Sequence, residues 1–320
     1  MFEDCMVVVT TINTPSEALK TWCNKFKVIV IPDKKTPIDS FSNYNFLDLE
    51  YNYGIDELPF NHYCRKNLGY IYASKSGVSF ILDTDDDTYY DGTEFFNHLG
   101  NANAVELKRN CGFVNIFDLL KTENINIWPR GFPLHAIQSK DKTISNKIDK
   151  ISPSIIQFLI NGDTDVDAIS RLVLGVRDVN FRSDNILYKI ASNNFTPFNS
   201  QLTLFTREVF PLLYLPSTVS FRFTDILRSI VAKKIIDRFN LSMCFFDSIG
   251  FQIRNEHDFI LDFISEIPCY TSIPKIIDIL EDIQGEDIPT SMISSYDLLH
   301  KNSFIGETDL IILRKFLSHI

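Results

Sequence analysis

Short apolar runs, set apart by polar turns and by stretches of helical spacing, organise the first third of the chain. Met6–Thr11 is a β-branched run, and Lys27–Ile31 (KVIVI) and Val78–Leu82 are two more. Runs apolar at successive positions predict strands buried on both faces. Asn45–Leu49 predicts a further short strand. Between the runs, Ser16–Phe26 reads as a helix opened by Pro15, and an amphipathic helix carries Arg65, Lys66 and Asn67. Strands that alternate with helices predict a mainly parallel sheet with helices on its faces. In such sheets ligands bind outside the carboxyl ends of the strands.

The second half is less regular. Trp128–Pro133 predicts a stiff aromatic loop, and Asn161–Asp167 an acidic turn into a helix over Ala168–Leu174. Phe195–Gln201 precedes the apolar run Leu202–Phe205. Phe221–Asp225 opens a helix over Ile226–Phe239, with Thr224 as its cap. From residue 259 to 320, Ile, Leu and Phe recur at helical spacing and predict a helical C-terminal region.

Composition adds limits. The 320 residues are 45% hydrophobic, include 27 Phe and carry a net charge of −10, which fits a folded chain with a large core and not a general nucleic-acid binder. Cys5, Cys23, Cys64, Cys111, Cys244 and Cys269 lack metal-finger spacing and read as reduced core thiols. No apolar stretch reaches the ~20 residues needed to span a bilayer, and the acidic start MFEDC is not a signal peptide. The expected location is cytoplasmic, with peripheral contact at a membrane left open.

Candidate chemistry gathers at three predicted strand ends: Thr10, Thr11 and Asn13; Asp33 and Lys34; and Asp83, Asp85, Asp86 and Asp87. The topology would bring them to one crevice. In an extended segment Asp83, Asp85 and Asp87 point one way, while Thr84 and Asp86 point the other. Carboxylates this close repel one another unless a cation sits among them. The favoured reading is a divalent metal held by Asp85 and Asp87, with the register among the four left open; the plain alternative is a solvated acidic turn. Arg65, Lys66 and Asn67 would face diphosphate or base, or would form a solvated helix face. Asp33 would accept from a base N–H, or would make an Asx turn with Thr36. Asp225, between Arg222 and Arg228, would take a proton from a hydroxyl, or would compensate a helix N-terminus. His257, in the stretch Arg254–Asp258, is a third candidate metal ligand, a phosphate contact or a plain surface His, and Arg254 joins the donor-binding set. No P-loop, GxGxxG, HExxH or GxSxG motif occurs, and the acidic turn lacks the distal Glu of a calcium loop.

The ordered segments VVVTTIN, VIVIPDKKTP, NYNFLDLE, LPFNHYCRKNLGYIYA, FILDTDDD, RGFPL, NGDTDVDAISRL, FTPFNSQLTLF, TVSFRFTDILRS and QIRNEHD together resemble the STELLO-type glycosyltransferase family. More distantly they are similar to the reversibly glycosylated polypeptides, which are UDP-arabinopyranose mutases. The resemblance implies a glycosyltransferase A-type, Rossmann-like fold. It implies a nucleotide-sugar donor, Mn²⁺ or Mg²⁺ on an Asp-x-Asp motif within Asp83–Asp87, and a carbohydrate or other hydroxyl acceptor. It places Thr10, Asn13, Asp33, Arg65, Lys66 and Asn67 on the donor side and makes Asp225 the candidate base. The expected organisation is a nucleotide-sugar-binding half over 1–125, an acceptor-binding half over 126–258 and a helical region over 259–320. The acceptor is expected against Trp128–Pro133 and Phe195–Gln201. The expected activity is transfer from a UDP-sugar, of the kind that serves cell-surface glycans. A UDP-sugar mutase and a non-catalytic scaffold of the same fold are the alternatives. The implied membrane-anchored extension of plant members has no counterpart before the first strand, so the expectation is a stand-alone catalytic domain.

Overall fold

The computed structural model describes residues 4–254 and 258–320. Its strands are β1 (Cys5–Thr11), β2 (Lys27–Pro32), β3 (Phe80–Thr84), β4 (Thr88–Tyr90), β5 (Asn103–Lys108), β6 (Ile144–Ile148), β7 (Ile155–Phe158), β8 (Asn161–Gly162), β9 (Ile186–Ile190), β10 (Leu202–Thr206), β11 (Met243–Phe246) and β12 (Gly250–Gln252). Helices α1 (Glu17–Cys23), α2 (Lys66–Lys75), α3 (Phe95–Asn101), α4 (Ile116–Leu120) and α5 (Leu134–Ile137) fall in the first half. Helices α6 (Ala168–Leu174), α7 (Thr224–Arg238), α8 (Phe259–Thr271), α9 (Ile273–Ile279), α10 (Ile288–Lys301) and α11 (Glu307–Leu317) follow.

The large sheet has the order β2-β1-β3-β10-β7-β11-β9-β5-β6, and β4-β12-β8 form a small second one. Strands β1, β2, β3, β6, β7 and β11 run in one direction, and β5, β9 and β10 run against them. The mixed, mainly parallel α/β class expected from the sequence is what is found. Alternation divides each central strand between two apolar layers: Met6 and Val8 pack with the α2 and α7 side, while Val7 and Val9 pack with Trp22, Phe26 and Phe95. Among the described residues no helix is long and apolar enough to cross a membrane.

Four local expectations change. Helix α1 begins at Glu17, capped by Ser16, whose hydroxyl accepts from the Leu19 N–H at 2.9 Å. Asn45–Leu49 makes a single bridge, Phe46 to Val30, instead of a strand. Helix α2 is not amphipathic but buried along nearly its whole length. It lies against β1 and β2 because Gly69 has no side chain: a Cβ there would stand 2.5 Å from Val8 Cγ1 and 2.9 Å from Ile31 Cγ1. Thr224 does not cap α7; its hydroxyl donates back to the Ser220 carbonyl at 3.2 Å.

A fifth difference bears on chemistry. Strand β3 runs from Phe80 to Thr84, so Asp83 is a strand residue, paired in register with Val8 and Thr203. The chain then turns at Asp85–Asp87 instead of continuing extended. The alternation expected for Asp83, Asp85 and Asp87 is therefore broken after the first of them.

Candidate functional site

A cleft of about 350 Å³ opens where β1, β2 and β3 end. The parallel register of these three strands sets Thr11, Pro32 and Thr84 at the same edge of the sheet. Thr10, Thr11 and Asn13 line the cleft after β1, Asp33 after β2, and Asp85, Asp86 and Asp87 after β3. The small sheet supplies the facing wall. Thr88, Gln252 and Gly162 are register partners in it, so β4, β12 and β8 bring Asp87, Arg254 and Asp163 to one rim.

The turn's three carboxylates have different surroundings. Asp86 Oδ2 accepts from the Thr11 hydroxyl and from Asn13 Nδ2 at 3.1 Å, and the Asp86 carbonyl accepts from the Ser16 hydroxyl. Asp85 Oδ1 accepts from the Tyr63 hydroxyl and lies 3.3 Å from Lys66 Nζ. Asp87 Oδ1 accepts from Gln252 Nε2 at 2.7 Å. Burial, and then the neighbouring Asp85 charge, push Asp87 up to about 7. Burial also raises Asp85. Oδ2 of Asp85 and Oδ2 of Asp87 accept no hydrogen bond among the described residues. Oδ1 of Asp86 is equally free, since both bonds to that carboxylate reach Oδ2, so all three acids of the turn keep an oxygen to spare; Asp85 and Asp87 are the pair singled out from the sequence.

A hard divalent cation fits that pair in one respect and needs help in another. Two carboxylates with free oxygens suit Mg²⁺ or Mn²⁺, which commonly take only one or two protein carboxylates beside substrate phosphates. Among the described residues no third His, Cys, Asp or Glu completes a protein-only metal site. The expectation for His257 lies outside the described residues.

Several expected site residues do not line the cleft. Arg65 Nε and Nη2 donate to the Pro32 and Leu49 carbonyls, each at 3.1 Å, and its guanidinium covers the Phe60 ring at 4.1 Å. Lys66 is fully buried, with Nζ 2.7 Å from Asp83 Oδ1 and 2.6 Å from the Thr84 carbonyl. Asn67 exchanges two hydrogen bonds of 2.8 Å with the Leu215 backbone. Asp83 is held between Lys66 and Arg228, whose Nη1 lies 2.7 Å from its Oδ2. These four brace the interior beneath the cleft, and of them Lys66 also reaches a cleft residue, Asp85, from below. Asp33 does line the cleft, but its carboxylate accepts from the Lys34, Asn61 and His62 N–H groups. It shapes the loop over 61–62 and makes no Asx turn with Thr36: the Asp33 N–H donates to Thr36 Oγ1 at 2.8 Å, and the Thr36 N–H donates to the Asp33 carbonyl at 2.8 Å.

Asp225 also needs correction. Its partner is not Arg222 or Arg228 but Arg130, whose Nη1 and Nη2 reach its two oxygens at 2.9 Å each, and the Ser200 and Ile226 N–H groups complete it. Burial alone would raise this carboxyl; Arg130 outweighs burial and lowers it. A saturated, strongly paired carboxylate is a poor proton acceptor. The segments expected to hold the acceptor are interior too: residues 128–133 and 194–200 are buried throughout. Trp128 Nε1 donates 2.6 Å to Asp167 instead of offering a ring to solvent.

The sequence reading missed a buried charge network behind the cleft. Asp165 meets Arg130 at 2.7 Å and Arg222 and Arg254 at 3.4 Å each, and Arg222 continues to Glu266 at 2.7 Å. Burial would raise Asp165, but the three arginines hold it well below the usual carboxylate range. Arg254 is the loosely held member. Its side chain is 6% exposed, its second ion pair to Asp163 is 3.9 Å long, and its Nε and Nη1 have no hydrogen-bond partner. Enclosed and unpartnered, these N–H groups leave Arg254 the least satisfied cation of the network behind the cleft wall. The one signal in the sequence was the acidic run Asp163–Asp167, whose counter-charges lie far away along the chain.

Comparison with known proteins bears on this geometry. The description "STELLO glycosyltransferases" matches residues 222–320. Two relatives from Arabidopsis thaliana, Probable glycosyltransferase STELLO1 and Probable glycosyltransferase STELLO2, are each 26% identical to the chain over 257 residues, covering 72% of it. The resemblance to the STELLO-type family is borne out. The chain spans 33% of the length of these two relatives. The family match takes in Arg222, Arg254 and α8 to α11, and leaves the carboxylate turn outside it. Among solved structures, glucosyl-3-phosphoglycerate synthase from Mycobacterium tuberculosis in complex with phosphoglyceric acid aligns at a TM-score of 0.39 and 12% identity, over 95% of this chain and 81% of that one. A likeness at that level carries no detail of its site to the cleft described above.

Proposed function

We propose that this chain is a metal-dependent glycosyltransferase that moves a sugar from a nucleotide-diphosphate donor, UDP-linked, to a hydroxyl acceptor. The observation that carries the reading is the pairing, in one cleft, of acids with spare oxygens and a guanidinium with spare donors. Asp85 and Asp87 would hold Mn²⁺ or Mg²⁺, which when bound screens the charge of the departing diphosphate. Arg254 donates to the same phosphates from the facing wall, as Arg65 and Lys66 cannot. Tyr63 and Gln252 fix Asp85 and Asp87 by occupying one oxygen of each, so the remaining oxygens keep their aim. Thr10, Thr11 and Asn13 line the donor side, and Asp33 holds that wall in shape. The likeness to relatives named as probable glycosyltransferases supports the reaction class.

Calorimetric titration of UDP with and without Mn²⁺ tests the reading. Binding should require the cation, vanish in Asp85→Ala plus Asp87→Ala, and weaken about 10- to 100-fold in Arg254→Ala, the worth of hydrogen bonds to a charged group. UDP that fails to bind in either condition, or binds the double variant as well as the wild type, would sink it.

A further inference from the structure

Among the described residues one hydrogen bond holds the Asp87 carboxylate, and its donor, Gln252 Nε2, is itself held from deeper in the fold. An ionised carboxylate only accepts, so Gln252 must turn its NH₂ group to Asp87 and its Oε1 away. The side chain that meets this Oε1 is Gln201, whose Nε2 donates to it. The same Nε2 reaches the Asp163 carbonyl at 3.4 Å. Both N–H groups of the Gln201 amide are therefore spent on the small sheet and its rim: on Gln252 of β12 and on Asp163, the residue after β8.

Gln201 has little freedom of its own. It is buried and immediately precedes β10 in the large sheet. Its N–H donates to Asn199 Oδ1 at 2.9 Å, and its carbonyl accepts from the Thr84 hydroxyl at 2.7 Å. Thr84 ends β3, and the carboxylate turn starts at the next residue. At the far end of the turn, register sets Gln252 opposite Thr88, beside Asp87. The two flanks of the turn are thus tied to one residue: Thr84 to the Gln201 backbone, and Asp87 to the Gln201 side chain through Gln252.

A glutamine amide can turn over with almost no change of shape, and a reversed Gln252 would aim an oxygen at the Asp87 carboxylate. Gln201 opposes that reversal, because its own N–H would then meet another N–H. Donor facing donor inside the protein leaves buried groups unsatisfied, at about 1–3 kcal/mol each.

We propose that Gln201 is a positioning residue: it locks the Gln252 amide in the orientation that donates to Asp87, and so holds the turn over 85–87 ready for a divalent cation. The cation rests on the metal-dependent reading above; the lock does not. Two measurements separate them. In the cation-free chain the side-chain amide protons of Gln252, followed by ¹H–¹⁵N resonance, should exchange slowly with water. Gln201→Leu should speed that exchange about tenfold, the worth of one hydrogen bond. Mn²⁺ binding in the presence of UDP, followed by electron paramagnetic resonance, should weaken about 10- to 100-fold in Gln201→Leu, the range for groups that orient metal ligands. Gln252→Leu should weaken it as much, and the double variant no further, because both act through one contact on Asp87. Melting midpoints by circular dichroism check that each variant folds. If Gln201→Leu does not, Gln201→Met, which keeps the reach and loses the donors, replaces it. The proposal is overturned by Gln252 amide protons that exchange freely in the wild type, by a Gln201 variant with wild-type exchange and affinity, or by losses that add in the double variant. A wild-type chain that binds no Mn²⁺, yet whose Gln252 amide is protected and is freed by Gln201→Leu, leaves the lock standing and removes the metal-dependent reading.

Discussion

Asp167 shows how a single buried group links local capping to the wider charge balance. It is fully buried, its carboxylate accepts from the Ser170 N–H at 2.8 Å as the cap of α6, and Trp128 Nε1 reaches it at 2.6 Å. Unlike Asp165 it has no cation in contact, and burial raises it to about 6. The folded chain then keeps a proton that the unfolded chain releases near its ordinary value of 3.8, so this group's contribution to stability falls as pH rises from about 4 to about 6. Asp167→Asn keeps an acceptor oxygen and removes the charge. Its stability relative to wild type should rise across that window and level off above it, by at most about 3 kcal/mol at about 1.4 kcal/mol per pK unit. Urea unfolding at pH 4.5, 6 and 7.5 measures this, and a difference that stays flat with pH would refute it. The spacing of Asp163, Asp165 and Asp167 made all three look alike. Contact with Arg130 or its lack separates them, and no local pattern encodes that.

The small sheet is where elements decide the site. Gly250 faces the Tyr89 carbonyl so closely that an added Cβ would stand 2.2 Å from its oxygen. Gly250→Ala should push β12 from β4 at a cost of about 1–3 kcal/mol, typical of overpacking. Because Gln252 and Arg254 ride on β12, UDP binding should weaken by more than the lost stability explains; binding equal to wild type in a folded variant would show that the strand does not position the cleft. The sequence reading was strongest where elements are periodic and long. The runs of β1 and β2 stand within a residue of expectation, since apolar alternation and turn residues are local signals. It failed at α2, where an amphipathic reading met a helix packed on all sides, and at β4, β8 and β12, which are too short to carry a period.

At the scale of the molecule, one buried carboxylate anchors the C-terminal helices to the segment that follows β10. Asp309, fully buried, accepts from the Tyr214 hydroxyl at 2.9 Å, the Ser217 N–H at 2.6 Å and the Thr218 N–H at 3.1 Å, all in the segment that follows β10. Asp309→Ala leaves these buried donors without an acceptor, and should cost about 3 kcal/mol or more, since each unsatisfied group costs about 1–3 kcal/mol. Far-ultraviolet dichroism and Trp fluorescence should still melt together in the variant, because α10 and α11 share the main apolar layer with α7. Two separated transitions would mean that residues 259–320 fold apart from the sheet.

By itself the sequence determined the α/β class, the crevice at the ends of β1, β2 and β3, and the acidic turn that enters it. Those follow from side-chain period and turn chemistry, which depend on neighbours a few residues away. Only the tertiary structure decided what each charge does there. Asp83 is clamped between Lys66 and Arg228, while Asp85, Asp86 and Asp87 each keep one oxygen free; Arg65 and Lys66 face inward, and Arg254 lines the cleft; Asp225 is bound by Arg130 instead of standing free. An ion's role is set by the nearest opposite charge and by its burial, and in this fold those partners come from elements far apart in the chain, as Arg228 of α7 and Asp83 of β3 do across 145 residues.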